Sequence, residues 1–463
     1  MSTAKPATEP PVKKPVDMLN DPVGPAIKRM TLPMLVGLLT LISFNLIDTL
    51  FVSLLGTEPL AAISFTFPVT FTVISLAIGL GIGTSAVIAK AMGSGNREEA
   101  RLDGTGALML SFILVGLLSL VGYFSIDVLF TALGAEERLL PLIHDYMDIW
   151  FMGGAFLVCP MVGNSVMRAF GDTKTPSMVM GFGGLVNAVL DPIFIFGFGP
   201  VPAMGIAGAA LATLLAWTIG FVLVIYILAY RKKIIIPSFG TIAHFIATSR
   251  KILKIGLPAA GANMLTPIAA AIMTAIVATY GTSAVGAFGV GSRIESLASL
   301  VVLALSMTLP PFISQNLGAG KMERVIGAYQ TTLKFVMICQ LGVYLLLVAF
   351  AGLIADGFSD DAEVIEMIKL FIWILPLGYG VQGIIILTNS SLNALHLPMS
   401  ALGLSFIRLF VFYVPFAYVG SYLGGINGFF IGALLGNVCT AVVSYRWFIN
   451  RFERMSGQLE AAN

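Results

Sequence analysis

The sequence predicts an all-α polytopic membrane protein with twelve transmembrane helices in two parallel six-helix repeats. Three observations predict it: composition, the number of apolar runs, and an internal duplication. Of 463 residues, 57% are hydrophobic and 11% are Asp, Glu, Lys or Arg, against about 45 to 50% and about 25% in soluble proteins. Mean hydropathy is +0.94, so one aqueous core cannot hide the apolar surface and lipid must cover part of it.

Taken in order, residues 1–26 are rich in proline and mixed charge with no apolar periodicity, which predicts a disordered tail. Runs of about 20 apolar residues, the length that crosses a bilayer, then occur at 31–55, 60–88, 104–130, 139–166, 176–198, 203–230, 255–279, 284–313, 328–353, 364–389, 398–420 and 424–447. The first is long and lacks a small-residue cleavage site, so it reads as a retained span. The domains expected are a bundle at 27–230, a basic linker at 231–254, a second bundle at 255–450 and a tail at 451–463.

Orientation follows from Lys and Arg, which favour cytoplasmic loops. Alternate connections carry Lys28 and Arg29; Lys90, Arg97 and Arg101; Arg168 and Lys174; Arg231, Lys232, Lys233, Arg250, Lys251 and Lys254; Lys321 and Arg324; and Arg446, Arg451 and Arg454. The intervening loops hold Arg138 beside Glu136, Glu137, Asp360 and Asp361. Both termini are therefore expected in the cytoplasm of a plasma (inner) membrane protein.

The duplication has an offset of 225 (257 − 32): Leu32 and Pro33 repeat as Leu257 and Pro258, Gly56 as Gly281, Gly93 as Gly318, and Asn164 as Asn389. Six spans per repeat is an even number, so both halves enter the membrane with the same sense. Two parallel bundles joined by a basic linker are the geometry of alternating access.

Net charge is +2, with the basic residues dispersed, which sets nucleic acid aside. Cys159, Cys339 and Cys439 are far apart in apolar runs, and His144, His244 and His396 form no HExxH, so neither a disulfide framework nor a zinc protease is expected. No nucleophile and base pair suggests an enzyme, and no cofactor is expected.

Two acids cannot be placed in water. Asp48 and Asp191 lie inside apolar runs, where each costs about 2.5 to 3.5 kcal/mol at a helix centre. Helix-packing hydrogen bonds are one reading, and an ion or proton site is the other. Asn187 lies one turn before Asp191, and Pro192 frees the carbonyl of Ala188. Carboxylate, amide and carbonyl oxygens suit Na⁺ or a shared proton. In the second half, Asp48 maps to Met273 and, after the register slips to 222 (Pro176 pairs with Pro398, 398 − 176), Asp191 maps to the region of Tyr413, which places coupling in the first bundle and leaves Met273 to line a substrate cavity or pack. Arg293 and Glu295, on the eighth span, could neutralise each other, meet Arg408 or contact substrate.

The segments LIDTLFVSLLG, GIGTSAVIAKAMGSGN, NSVMRAFGDTKTP, NAVLDPIFIFG and GIAGAALAT, with RIESLA and SQNLGAGK in the partner repeat, resemble the multidrug and toxic compound extrusion (MATE) transporters, particularly the prokaryotic DinF-like branch. The resemblance implies two six-helix bundles in a V and export of amphipathic cations by H⁺ or Na⁺ antiport. By it, Asp48 is the first-helix acid, Asn187 and Asp191 the fifth-helix pair, Pro33 the bending proline, Tyr146 the fourth-helix tyrosine and Thr213 the sixth-helix threonine.

The expectation is a monomeric secondary antiporter in contact with membrane lipids, exporting lipophilic cationic compounds in exchange for H⁺ or Na⁺. Any metal would be Na⁺ held by Asp48, Asn187 and Asp191. A flippase for lipid-linked saccharide or another lipid is the alternative, and a membrane-embedded enzyme the remote one.

Overall fold

The computed structural model describes residues 16–238 and 240–460, and among them it is helical with no named strand. Eleven stretches are long and apolar enough to cross a bilayer. The last of these, Pro398–Gln458, holds two crossings, because the helix geometry breaks at Gly424 and Gly425. We label the twelve α1 (Val23–Ser53), α2 (Thr57–Gly93), α3 (Arg97–Phe124), α4 (Leu140–Ala169), α5 (Lys174–Phe196), α6 (Gly205–Tyr226), α7 (Ile242–Ala278), α8 (Thr282–Ala298 continuing as Leu300–Gly318), α9 (Met322–Ala349), α10 (Ala362–Ile374 continuing to Ala394), α11 (398–423) and α12 (426–460).

Helix ends follow from local chemistry. Asn96 starts α3 by accepting from the Glu99 amide at 3.2 Å, which satisfies one otherwise orphaned N–H, while its own Nδ2 donates to Glu99 Oε2 at 2.8 Å. Asp361 and Thr241 cap α10 and α7 in the same sense. The hairpin of α11 and α12 packs on glycines: a methyl group on Gly420, Gly428 or Gly432 would collide with backbone of the facing helix. Small residues one turn apart let transmembrane backbones approach this closely.

Each bundle has its own apolar core, and each receives the start of the other's first helix. Ile27 and Met30 of α1 pack into the core of the second bundle, with Phe312, Tyr329 and Phe448. Their repeat equivalents, Ile252 and Ile255 of α7, pack into the core of the first.

This exchange corrects three expectations about boundaries. Residues 16–26, expected within a disordered tail, are ordered: Met18 is buried, its carbonyl accepts from Asn316 Nδ2 at 2.9 Å and from Arg324 at 3.0 Å, and α1 begins at Val23. Apolar Met18 and two donors from the second bundle overcome the proline-rich composition. Residues 1–15 lie outside the described residues. The expected linker is helical from Ile242, because its Ile252 face is buried, and α12 continues to Glu460 through the expected tail.

The bundles touch toward the end of the molecule that carries the basic loops. There Gly79 and Gly83 of α2 lie against the backbone of Gly256 and Ile252, and Gly93 and Gly318 against that of Gln315 and Lys90. Thr31 and Thr308 share a buried hydrogen bond of 2.9 Å. Toward the acidic end, Phe67 of α2 and Ile268 of α7 are 58% and 52% exposed. The close backbone contacts between the bundles thus lie toward the basic end.

Candidate functional site

In the first bundle, α1, α4, α5 and α6 bring Asp48, Tyr146, Asn187, Asp191 and Thr213 together. Asp191 is 0% exposed. Asn187, on the same face one turn earlier, donates Nδ2 to Asp191 Oδ1 at 2.7 Å. The carboxyl of Asp48 meets that of Asp191 in hydrogen-bonding contact. Two carboxyl groups make such a contact only when one of them carries a proton. Oδ2 of Asp191 has no N–H or hydroxyl donor among the described residues.

Tyr146 lies within electrostatic reach of both acids. With Asp48, Thr49 and Thr213 it lines a cavity of about 60 Å³, closed by Val52, Leu60, Ile63 and Ala209. Water or a small cation fits this space, whereas organic ligands take about 300 Å³ or more. Pro192 follows Asp191 inside α5 and leaves the Ala188 carbonyl without its helical donor. Pro33 lies inside α1 and far from this cavity, near the basic end.

The second bundle holds a different polar group. Gln382 of α10 donates Nε2 to Glu295 Oε1 of α8 at 2.8 Å. Arg408 of α11 faces Glu295 and Tyr413 electrostatically, and Tyr379 of α10 faces the same two residues. Arg408 makes no hydrogen bond or ion pair with any described residue, and its Nε is enclosed. Neither tyrosine hydroxyl is hydrogen-bonded. Arg408 and Tyr413 belong to a π-helical turn, Ile407–Tyr413.

The remaining expected site residues separate. Met273 is 1% exposed and packs with Phe371, Phe429 and Phe430, so it is core and does not line a cavity. A thioether fills an irregular apolar gap there. Arg293 does not neutralise Glu295: two residues apart on a helix, they point to different sides, and Arg293 is exposed without a described partner. Sequence reasoning missed Gln382 and Tyr379. A lone glutamine in the apolar run YGVQGIIIL was the available signal, since an amide inside a span seeks a partner.

Among proteins of known name, the chain is 43% identical over 428 residues to the "FAD transporter" of Shewanella oneidensis, covering 92% of this chain and 95% of that one. It is 27% identical to the "Probable multidrug resistance protein YpnP" of Bacillus subtilis, covering 92% and 96%. Among solved structures it matches the Vibrio cholerae MATE transporter VcmN in the bent form, with TM-score 0.88, 34% identity and coverage of 94% and 98%. It also matches an outward-facing multidrug resistance MATE transporter, with TM-score 0.89, 28% identity and coverage of 96% and 99%. The MatE family model matches residues 33–193 and again 258–419, one match for each half of the duplication. This chain, with its two six-helix bundles, therefore belongs to the MatE family of membrane transporters, and it is not an enzyme.

Proposed function

We propose that this protein is a proton-coupled antiporter of the plasma membrane that exports a flavin nucleotide of the FAD type. The observation that carries the coupling is the contact between the Asp48 and Asp191 carboxyl groups beside a cavity of about 60 Å³. A proton on that pair is required for the contact and is released when the acids part, so its uptake and loss can bias two arrangements of the bundle. Asn187 holds the buried acid in place in either form. Na⁺ among Asp48, Asn187 and Asp191 is the competing occupant. The basic loops favour a cytoplasmic basic end.

The substrate reading is supported by 43% identity to a relative named for FAD. The expectation of organic cations assumed that the carboxylates face the cargo, and a cavity of about 60 Å³ beside them favours water or a small cation there instead. Relatives named for multidrug resistance keep lipophilic cations as a second reading.

Proteoliposomes decide between them. Exchange of a dianion for a proton moves positive charge inward, so an inside-negative potential, worth about 2.3 kcal/mol per charge per 100 mV, drives FAD export without any ΔpH. One-for-one exchange of a monovalent cation for a proton moves no charge and ignores the potential. Export of FAD under potential and under ΔpH, with no response to a Na⁺ gradient, is the expected result. Efflux of a cationic dye under ΔpH with no FAD movement overturns the substrate reading, and Na⁺-driven efflux overturns the proton.

A further inference from the structure

We infer that the polar group of the second bundle is the anion-recognising part of the substrate site, with Arg408 as the residue that meets a phosphate of the cargo. This rests on reading the cargo as a phosphate-bearing molecule.

Arg408 lies ten residues into α11, about 15 Å from its basic end at 1.5 Å per residue. A cation at such depth is expensive and is normally paired. Here, among the described residues, no carboxylate approaches within ion-pairing distance, Glu295 being bonded by Gln382, and no hydrogen bond satisfies the guanidinium. The π-helical turn matters. In an α-helix Arg408 and Tyr413, five residues apart, would diverge, whereas the i to i+5 pairing of a π-turn brings such residues to one side.

Glu295 is engaged by Gln382 through Oε1, and the groups of the cluster that can donate and have no partner among the described residues are the guanidinium, Tyr379 Oη and Tyr413 Oη. These three donors are free to meet an acceptor-rich anion from outside the bundle. Phosphate supplies acceptor oxygens in the spacing that a guanidinium fork matches, which an ammonium cannot reproduce. The acid pair in the other bundle is lined by hydroxyls and an amide, with no guanidinium or ammonium among the residues named there. Proton and cargo would then bind to different bundles, and the two need not compete for the same atoms.

The test is binding to the purified full-length protein in detergent, followed by thermal shift, with FAD, FMN, ADP, inorganic pyrophosphate and riboflavin. Wild type is compared with Arg408→Gln, Arg408→Lys and Tyr379→Phe. Loss of a charge-assisted contact weakens FAD and FMN binding by about tenfold or more in Arg408→Gln, and by less in Arg408→Lys. Riboflavin, which has no phosphate, binds all variants alike. Unchanged phosphate preference in Arg408→Gln overturns the inference while leaving FAD as substrate. Arg408-dependent binding of ADP or pyrophosphate by a protein that ignores FAD overturns the substrate and keeps the phosphate site. If Arg408→Gln does not fold, wild-type affinity in both Arg408→Lys and Tyr379→Phe overturns it.

Discussion

The two bundles share a helix layout and differ in what fills their interiors. In the first, Asp48 and Asp191 meet beside a small cavity, with Tyr146 within reach of both. At the places equivalent to Asp48 and Tyr146 in the second, 225 residues on, stand Met273 and Phe371, packed into an apolar core with Phe429 and Phe430; the region equivalent to Asp191 holds Tyr413. Its polar groups lie on α8, α10 and the π-turn of α11. Duplication supplied the same scaffold twice, and side chains then put an acid at position 48 of one copy and a packed thioether at the equivalent place in the other.

The largest expected effect breaks that asymmetry from the acidic side. Asp48→Asn and Asp191→Asn keep shape and hydrogen bonding but cannot exchange a proton. Each is expected to reduce gradient-driven transport in proteoliposomes to the level of empty vesicles, with an unchanged thermal midpoint and elution volume. A variant that still transports against a gradient would make its acid a packing residue.

The next effect acts on the apolar copy. Met273→Ala and Phe371→Ala leave cavities in a packed core, which costs about 2 to 5 kcal/mol. Thermal unfolding in detergent should show the loss, while the dependence of residual transport on ΔpH stays that of wild type. A changed pH profile in either variant would mean that the second bundle takes part in coupling.

How much of this was legible in the sequence differs between the copies. Asp48, Asn187 and Asp191 announced themselves because short polar side chains in apolar runs have no route to water, and the structure brings all three together. Gln382 is just as anomalous by the same reasoning, yet its partner Glu295 lies 87 residues away and only packing of α8 on α10 joins them. The exchange of Ile27 and Met30 for Ile252 and Ile255 between cores was hidden for another reason: an apolar helix face says that it is buried and does not say against which bundle. The composition of residues 16–26 likewise reads as disorder, because hydrogen bonds donated by Asn316 and Arg324 come from a distant part of the chain.

The smallest expected effect concerns a turn at which the halves differ by one residue. Gly171 adopts φ of 85°, and at the repeat position His396 adopts φ of 59°. A left-handed backbone costs a residue with a Cβ about 1 to 2 kcal/mol, and glycine almost nothing. His396 is also held against the other bundle, with its Nε2 enclosed and unpartnered. Burial, and then the charges of Lys90, Lys251 and Lys254, push the imidazole down to about 4, against the opposing effect of the Ala86 carbonyl. An unfolded histidine takes its proton near pH 6.5. Between about pH 6.5 and 4 the unfolded chain therefore binds a proton that the folded one refuses, so stability falls as pH falls through that window and levels off below it. His396→Gly removes both terms. At pH 8 its thermal midpoint should exceed wild type by the equivalent of about 1 kcal/mol, and the gap should widen by pH 5. An equal midpoint at pH 8 would deny the backbone strain, and a gap that does not grow on acidification would deny that His396 titrates.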